Sequence, residues 1–196
     1  MTSPQHVNRR SDARRSREAI LGAALRVLNP DPDASIEAIA AEAGVTRQTV
    51  YAHFPTRQLL LAAVLDHVTE EAVAAMDAAA LDEGPAADAL LRLLEAGNRT
   101  AGRYPVLLQR IASLPVSQHD DEERHAPVAE RLKAVIHRGQ RSGEFDDQLS
   151  PDWLVATTIR LGHLASEEVD AGRMSREEAD EALRVSLLRV LGAVAS

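Results

Sequence analysis

The stretch from Ser35 to Arg57 leaves the fewest options for how this chain folds. It predicts two short helices joined by a sharp turn, with Ser35 capping the first helix and Thr46 capping the second. Gly44 directly follows the first predicted helix, where a left-handed backbone conformation costs glycine least. The stretch therefore predicts a helix-turn-helix.

Three small or apolar residues have the spacing that such a pair requires. Ala40, Gly44 and Val50 fall at relative positions 1, 5 and 11. Ala40 lies where the helices cross, so a larger side chain would push them apart, and Val50 points back toward it. The alternative is that the pair is purely structural, as in any helical protein. The outward face of the second helix argues against that alternative, because Arg and Gln make paired hydrogen bonds with base edges.

The exposed side chains of this pair predict a surface that contacts DNA. Arg, Gln and Thr on the second helix suit base edges, whereas groups at the helix starts and at the following turn suit phosphates. We expect base contacts from Arg47, Gln48 and Thr49, and phosphate contacts from Ser35, Thr46, Tyr51, His53 and Arg57.

Residues 36 to 60 resemble the DNA-binding domain of the tetracycline-repressor (TetR) family, especially in Ala43-Gly44-Val45-Thr46 and Tyr51-Ala52-His53-Phe54. The resemblance extends over about residues 14 to 68. It implies a one-component regulator, usually a repressor, with a small DNA-binding domain and a variable helical domain that dimerises and binds an effector. The chain departs from the family at the loop of residues 29 to 34, which lacks the usual glycine and aromatic residue. It departs again at Arg57-Gln58, where Lys-Glu is common.

Charge is distributed unevenly along the chain. The net charge is -8, yet residues 1 to 57 contain eight arginines and six acids, a net of +2, which leaves -10 for residues 58 to 196. Phosphate contacts supply most sequence-independent DNA affinity, so we expect DNA at the basic end and the acidic remainder away from the duplex.

Several classes of protein are excluded by what the sequence lacks. There is no cysteine, which excludes disulfides, thiolate catalysis and zinc-thiolate sites. The longest apolar run, residues 59 to 65, is far shorter than the roughly 18 residues that span a bilayer. The basic N-terminus has no apolar segment of the signal-peptide kind. We therefore expect a cytoplasmic protein.

Helical periodicity throughout the chain predicts an all-α fold. We expect a disordered basic arm over residues 1–13, which either reaches phosphates or stays solvated, and a helix-turn-helix DNA-binding domain over residues 14–57. A helical effector-binding and dimerisation domain follows over residues 58–196. A long helix from Thr56 to about Leu81 joins the two, and residues 115–122 are predicted to form a loop.

The two C-terminal predicted helices, 150–170 and 175–193, are apolar on more than one face. A single stripe suffices for a monomer, so the surplus predicts a homodimer, with Leu187 and Leu191 in the interface. The alternative places both helices at the centre of a monomer core.

The helices from 85 to 165 mix apolar residues with a few polar ones, which predicts a site for a small, largely apolar effector. Its candidate residues are Tyr104, Gln109, Trp153, Thr157 and His163, and the alternative is a filled core. His119, His125 and His137 lack metal-ligand spacing, so we expect no metal, cofactor or catalytic residue. The function predicted is a DNA-binding repressor released by an effector. The alternative is a helical enzyme or adaptor with a structural helix-turn-helix.

Overall fold

The computed structural model describes residues 4–112 and 118–193, and the side chains of residues 11–111 and 123–193. All regular structure in these residues is helical, which confirms the predicted fold class. The helices are α1 (Pro4–Leu28), α2 (Ile36–Glu42), α3 (Arg47–His53), α4 (Arg57–Asp77), α5 (Ala86–Ala101), α6 (Pro105–Ala112), α7 (Gln118–Ser142), α8 (Pro151–Asp170) and α9 (Arg176–Val190). In the described parts of the chain, no helix has the length and apolarity to cross a bilayer.

The chain divides into two compact units that do not follow the predicted boundary between residues 57 and 58. The first unit is Met1–Glu70 with Ala101–Val116, and the second is Glu71–Thr100 with Ser117–Ser196. Most of α4 and all of α6 thus belong with the helix-turn-helix. The reason is burial, because the apolar faces of α4 and α6 enter the same core as α1.

The core of the first unit takes side chains from α1, α2, α3, α4 and α6. Burying one aliphatic side chain of this size stabilises a fold by about 1.5 to 3 kcal/mol. The fully buried members include Ile20, Leu21, Leu28, Ile39, Val50, Leu60, Val64 and Leu107. This core therefore holds α2 and α3 by their inner faces and leaves their outer faces available for contacts with other molecules.

The predicted disordered arm is helical from Pro4 onward, because α1 begins there. Arginine and alanine are good helix formers whether or not they are buried. Exposed ion pairs one turn apart add to this, with Arg14 Nε 3.4 Å from Glu18 Oε1 and Arg15 Nη1 3.6 Å from Asp12 Oδ1. Low apolar content predicted disorder here, but it did not prevent helix formation from Pro4 onward.

The second unit has a core of its own between α5, α7 and α8, with contributions from the ends of α4 and α9. Its buried side chains include Leu90, Leu93, Leu132, Ile136, Phe145 and Leu154. The predicted loop over residues 115–122 is wrong from Gln118 onward, where α7 begins. Loops and exposed helical turns are both polar in composition, so composition alone could not distinguish a loop from the first turn of α7.

The predicted starts of α8 and α9 are confirmed. Ser150 Oγ accepts a hydrogen bond of 3.3 Å from Trp153 N. Ser175 and Glu178 form a capping box, in which Ser175 Oγ accepts from Glu178 N at 3.2 Å and Glu178 Oε2 accepts from Ser175 N at 2.8 Å.

The structure corrects the assignment of Leu187 and Leu191 to an interface. Both side chains lie inside the protomer, with 0% and 1% of their surface exposed. Sequence periodicity identified an apolar stripe on α9, but it could not distinguish the stripe that faces the core from one that faces solvent.

Candidate nucleic-acid interface

The first helix of the pair, α2, has a hydrogen-bonded cap at each end. Ser35 Oγ accepts a hydrogen bond from Ala38 N at 3.2 Å and so caps the N-terminus. At the other end Gly44 has a φ of +67°, and its N–H donates to Ala41 O at 3.1 Å. Val45 N donates to Ala40 O at 3.0 Å, which completes the paired pattern that ends a helix. The predicted turn is confirmed.

The second helix, α3, is capped by Thr46 and anchored by Val50. Thr46 Oγ1 accepts from Thr49 N at 3.1 Å, and the two threonine hydroxyls share a hydrogen bond of 2.8 Å. Val50 is fully buried and Ala40 is 4% exposed in the same core. The inner face of α3 is thus held by packing, and Ala40 and Val50 share one buried core, which is compatible with the spacing that predicted the helix pair.

The side chains predicted to contact DNA all lie on the first unit. Arg47, Gln48 and Tyr51 are exposed on α3, Thr49 and His53 are half-buried on it, and Ser35 and Thr46 are exposed at the helix starts. The capping hydroxyls accept hydrogen bonds from the backbone, and a hydroxyl has a proton of its own to donate to a phosphate.

Arg47 has two neighbours on this surface. Its Nη1 lies 2.5 Å from Glu37 Oε1 of α2, and its guanidinium carbon lies 5.3 Å from the centre of the Tyr51 ring. The Tyr51 side chain, and after it the charge of Glu37, raises the pKa of the Arg47 guanidinium. Sequence reasoning did not single out Glu37. The contact crosses the turn between two helices, so helical periodicity gave no signal for it.

Arg57 has structural partners, although the sequence predicted a phosphate contact. Its Nη1 donates to Ala34 O and its Nη2 donates to Pro32 O, each at 2.6 Å. The planar guanidinium therefore closes the loop between α1 and α2. Lysine offers a single point of charge and cannot reproduce this fork. The chain's two departures from the TetR pattern, the loop and Arg57, are thus physically linked.

The five candidate effector residues fall in both compact units. Tyr104 packs on the core of the first unit, and Gln109 is exposed on α6 of the same unit. Thr157 and His163 are half-buried on α8 of the second unit, whereas Trp153 is 62% exposed at the start of α8. Trp153 and Gln109 therefore do not line the interior of a single protomer.

Two histidines contact each other in the second unit. The Nε2 atoms of His125 and His163 are 3.3 Å apart, so one imidazole can donate to the other. His137 is exposed, and His119 lies outside the described side chains. Among the described residues, no group of three or more His, Cys, Asp or Glu side chains is arranged to hold a metal ion.

Known proteins resemble this chain in sequence. Residues 20–64 match the profile of the bacterial regulatory proteins of the tetR family. The chain is 45% identical over 96 residues to the HTH-type transcriptional repressor LfrR of Mycolicibacterium smegmatis, a match that covers 48% of this chain and about half, 49%, of LfrR. It is 30% identical over 142 residues to the nucleoid occlusion factor SlmA of Marinobacter nauticus, covering 69% of this chain and 71% of SlmA.

The fold is shared as well. The crystal structure of the TetR-like regulator LfrR from Mycobacterium smegmatis in complex with proflavine superposes with a TM-score of 0.64 at 28% identity. That superposition covers 93% of this chain and 99% of LfrR. The matched residues 20–64 contain the whole of α2 and α3. With its capped helix pair, its all-helical architecture and these relatives, the chain belongs to the TetR family of bacterial regulatory proteins.

Proposed function

We propose that this protein is a transcriptional repressor that binds operator DNA as a homodimer through α3 and is released by a small-molecule effector. One observation carries the proposal: α3 is fixed on its inner face by Val50 and presents Arg47, Gln48 and Tyr51 outward. Arg and Gln are the side chains best suited to paired hydrogen bonds with guanine and adenine. LfrR, the relative with 45% identity, is itself a transcriptional repressor.

The exposed side chains of α3 can select among base sequences only if the backbone that carries them is held in one position. Both α2 and α3 have seven residues, which is too short for either to be stable alone. Their caps and the buried core of the first unit supply the stability instead. Because this arrangement fixes the backbone of α3, the identity of its exposed side chains determines which bases it can contact. Such a regulator would act on the chromosome, in the cytoplasm.

The homodimer is supported by apolar side chains exposed on the second unit. Trp153 and Leu164 of α8 are 62% and 49% exposed, and Val190 of α9 is 37% exposed. A second copy would bury these residues and place two recognition helices on half-sites about 34 Å, or one helical turn, apart. We assign the dimer contact to these outward residues in place of the buried Leu187 and Leu191.

Effector control is supported by two half-buried polar groups on α8, Thr157 and His163, in a unit whose core cluster is apolar. LfrR was crystallised with proflavine. We propose a small, largely apolar effector that binds the second unit. By linkage, operator DNA must then weaken effector binding by the factor by which the effector weakens operator binding.

Selection of bound sequences from random duplexes by the full chain tests the proposal. We expect an enriched palindromic site, bound more tightly than a scrambled duplex at the same salt concentration. Arg47→Ala should cost about 1 to 3 kcal/mol of operator binding and relax the preference at one base position. Selection that enriches no sequence would favour the alternative, in which the helix-turn-helix is structural.

A further inference from the structure

Two histidines on neighbouring helices of the second unit bring one ring nitrogen each close together. His125 lies on α7 and His163 lies on α8, and their Nε2 atoms are 3.3 Å apart. Both side chains are half-buried. We propose that this pair binds a divalent transition-metal ion, such as Zn²⁺ or Ni²⁺, with one imidazole from each helix. Metal binding is measured without DNA, so it tests the pair independently of the proposed function.

The distances within the pair fit two ligands of one ion. Imidazole nitrogens bind zinc at about 2.0 to 2.1 Å, so tetrahedral geometry places two of them about 3.3 to 3.4 Å apart. The centres of the two rings would then be about 5.2 Å apart, because each nitrogen lies about 1.15 Å from its ring centre. The observed separations are 3.3 Å between the nitrogens and 5.1 Å between the ring centres. Both values agree with those of a shared ion.

A hydrogen bond between two neutral imidazoles is the other account, and the geometry fits it less well. N–H donors prefer a distance of about 2.9 to 3.0 Å and a nearly linear bond. A linear bond of the observed length would place the ring centres about 5.6 Å apart. The measured 5.1 Å therefore indicates a bent contact. Such a bend lets the lone pairs of both nitrogens point to one position beside the line that joins them.

The chemistry of the ligands limits which ions can bind. Imidazole suits zinc, copper and nickel, whereas Mg²⁺ and Ca²⁺ prefer oxygen ligands. Among the described side chains, no third His, Cys, Asp or Glu joins the pair to form a metal-binding group. Water would therefore complete the coordination, and binding should be weaker than at a zinc site with four protein ligands. The two histidines are 38 residues apart, so no ligand spacing within one helix indicated them.

Packing of α7 against α8 holds the two imidazoles in place before an ion binds. Leu132 and Ile136 of α7 enter the same core as Leu154 and Val155 of α8. An ion that joins side chains on two packed helices loses little affinity to ordering of the backbone. Because the unfolded chain does not hold the two rings together, an ion bound at this pair stabilises the folded state.

The experiment measures thermal unfolding of the full-length protein with Ni²⁺, Zn²⁺ or Mg²⁺, together with calorimetric titration of each ion. At about ten times the dissociation constant, Ni²⁺ or Zn²⁺ should raise the Tm by about 3 to 6 °C, whereas Mg²⁺ should not. His125→Gln and His163→Gln should each abolish the rise and lose one bound ion per chain, and the double variant should match the single ones. His137→Gln is the matched control, because it removes an exposed imidazole from α7 and should keep the rise.

Two further measurements guard against a variant that fails to fold. Melts without metal establish that each variant is folded. The visible absorption of Co²⁺ bound to the unmodified protein reports on its coordination directly, and it should differ from that of the hydrated ion. This change should be absent from folded His163→Gln.

Three results would overturn the proposal. An unmodified protein that binds neither Ni²⁺ nor Zn²⁺ at millimolar concentration would show that the pair is only hydrogen bonded. Equal shifts in His125→Gln and His137→Gln would place the ion elsewhere. A Mg²⁺ shift as large as that of Ni²⁺ would assign the ion to carboxylates, which give residues 58 to 196 their net charge of -10. By contrast, an unmodified protein that binds the selected and scrambled duplexes equally would refute the proposed function and leave the metal site standing.

Discussion

The outer faces of the two compact units differ in kind. In the first unit, α3 exposes Arg47, Gln48 and Tyr51, whereas in the second unit α8 exposes Trp153 and Leu164. Arginine and glutamine side chains, which can form paired hydrogen bonds, suit DNA, because its bases differ in donors and acceptors. Exposed apolar side chains suit a protein surface that excludes water. Under the proposed function, DNA reading and self-association use different units of one chain, so variants should separate the two.

The largest expected effect comes from the second unit. Leu164→Asp or Trp153→Asp should split the dimer and weaken operator binding about 100-fold or more, because the second half-site loses its effective concentration. Light scattering and operator titration measure the two effects together. Leu187→Asp is the matched control: its side chain is buried, so it should lower the free energy of unfolding. Monomeric unmodified protein at micromolar concentration would contradict this assignment.

An intermediate effect is expected from Arg57 in the first unit. Arg57→Lys should lower the free energy of unfolding by about 1 to 3 kcal/mol, because a lysine cannot replace both hydrogen bonds to Pro32 O and Ala34 O. Thermal and urea unfolding measure this, with Arg15→Lys as an exposed control. If Arg57→Lys instead left stability unchanged and Arg57→Ala weakened all DNA sequences alike, the phosphate contact predicted from sequence would be the main role.

The smallest effect should appear on acidification, in the second unit. Hydrogen bonds lower the pKa of several of its carboxylates below the ordinary values of 3.8 for Asp and 4.5 for Glu. The pairs are Arg131 with Asp77, Ser142 with Glu144, Arg173 with Glu168, Ser175 with Glu178, and Arg184 with Glu181. A depressed folded pKa stabilises the fold above the unfolded value, and that stability is lost as pH falls through the lower folded value.

We therefore expect the second unit to lose stability below about pH 4.5, measured by the fluorescence of Trp153, the single tryptophan of the chain. Asp77→Asn should reduce the pH dependence, since it removes one of these groups. High salt should also reduce it, because the pairs are exposed. Stability that stays constant between pH 7 and 3 would contradict the assignment.

Local chemistry was readable from the chain alone. Ser35 and Thr46 cap their helices, and Gly44 takes the left-handed turn, because each acts on backbone groups within a few residues of itself. The same is true of the all-helical fold class, which follows from periodicity. The family resemblance of residues 36 to 60 also rests on this local pattern.

Contacts between elements were decided only when the helices packed. Arg47 meets Glu37 across a turn, Arg57 reaches a loop more than twenty residues earlier, and His125 meets His163 between α7 and α8. The burial of Leu187 and the exposure of Leu164 were decided in the same way. A helical repeat specifies which residues share a face. Which of these faces meets the core depends on how the apolar stripes of all the helices pack into the same interior.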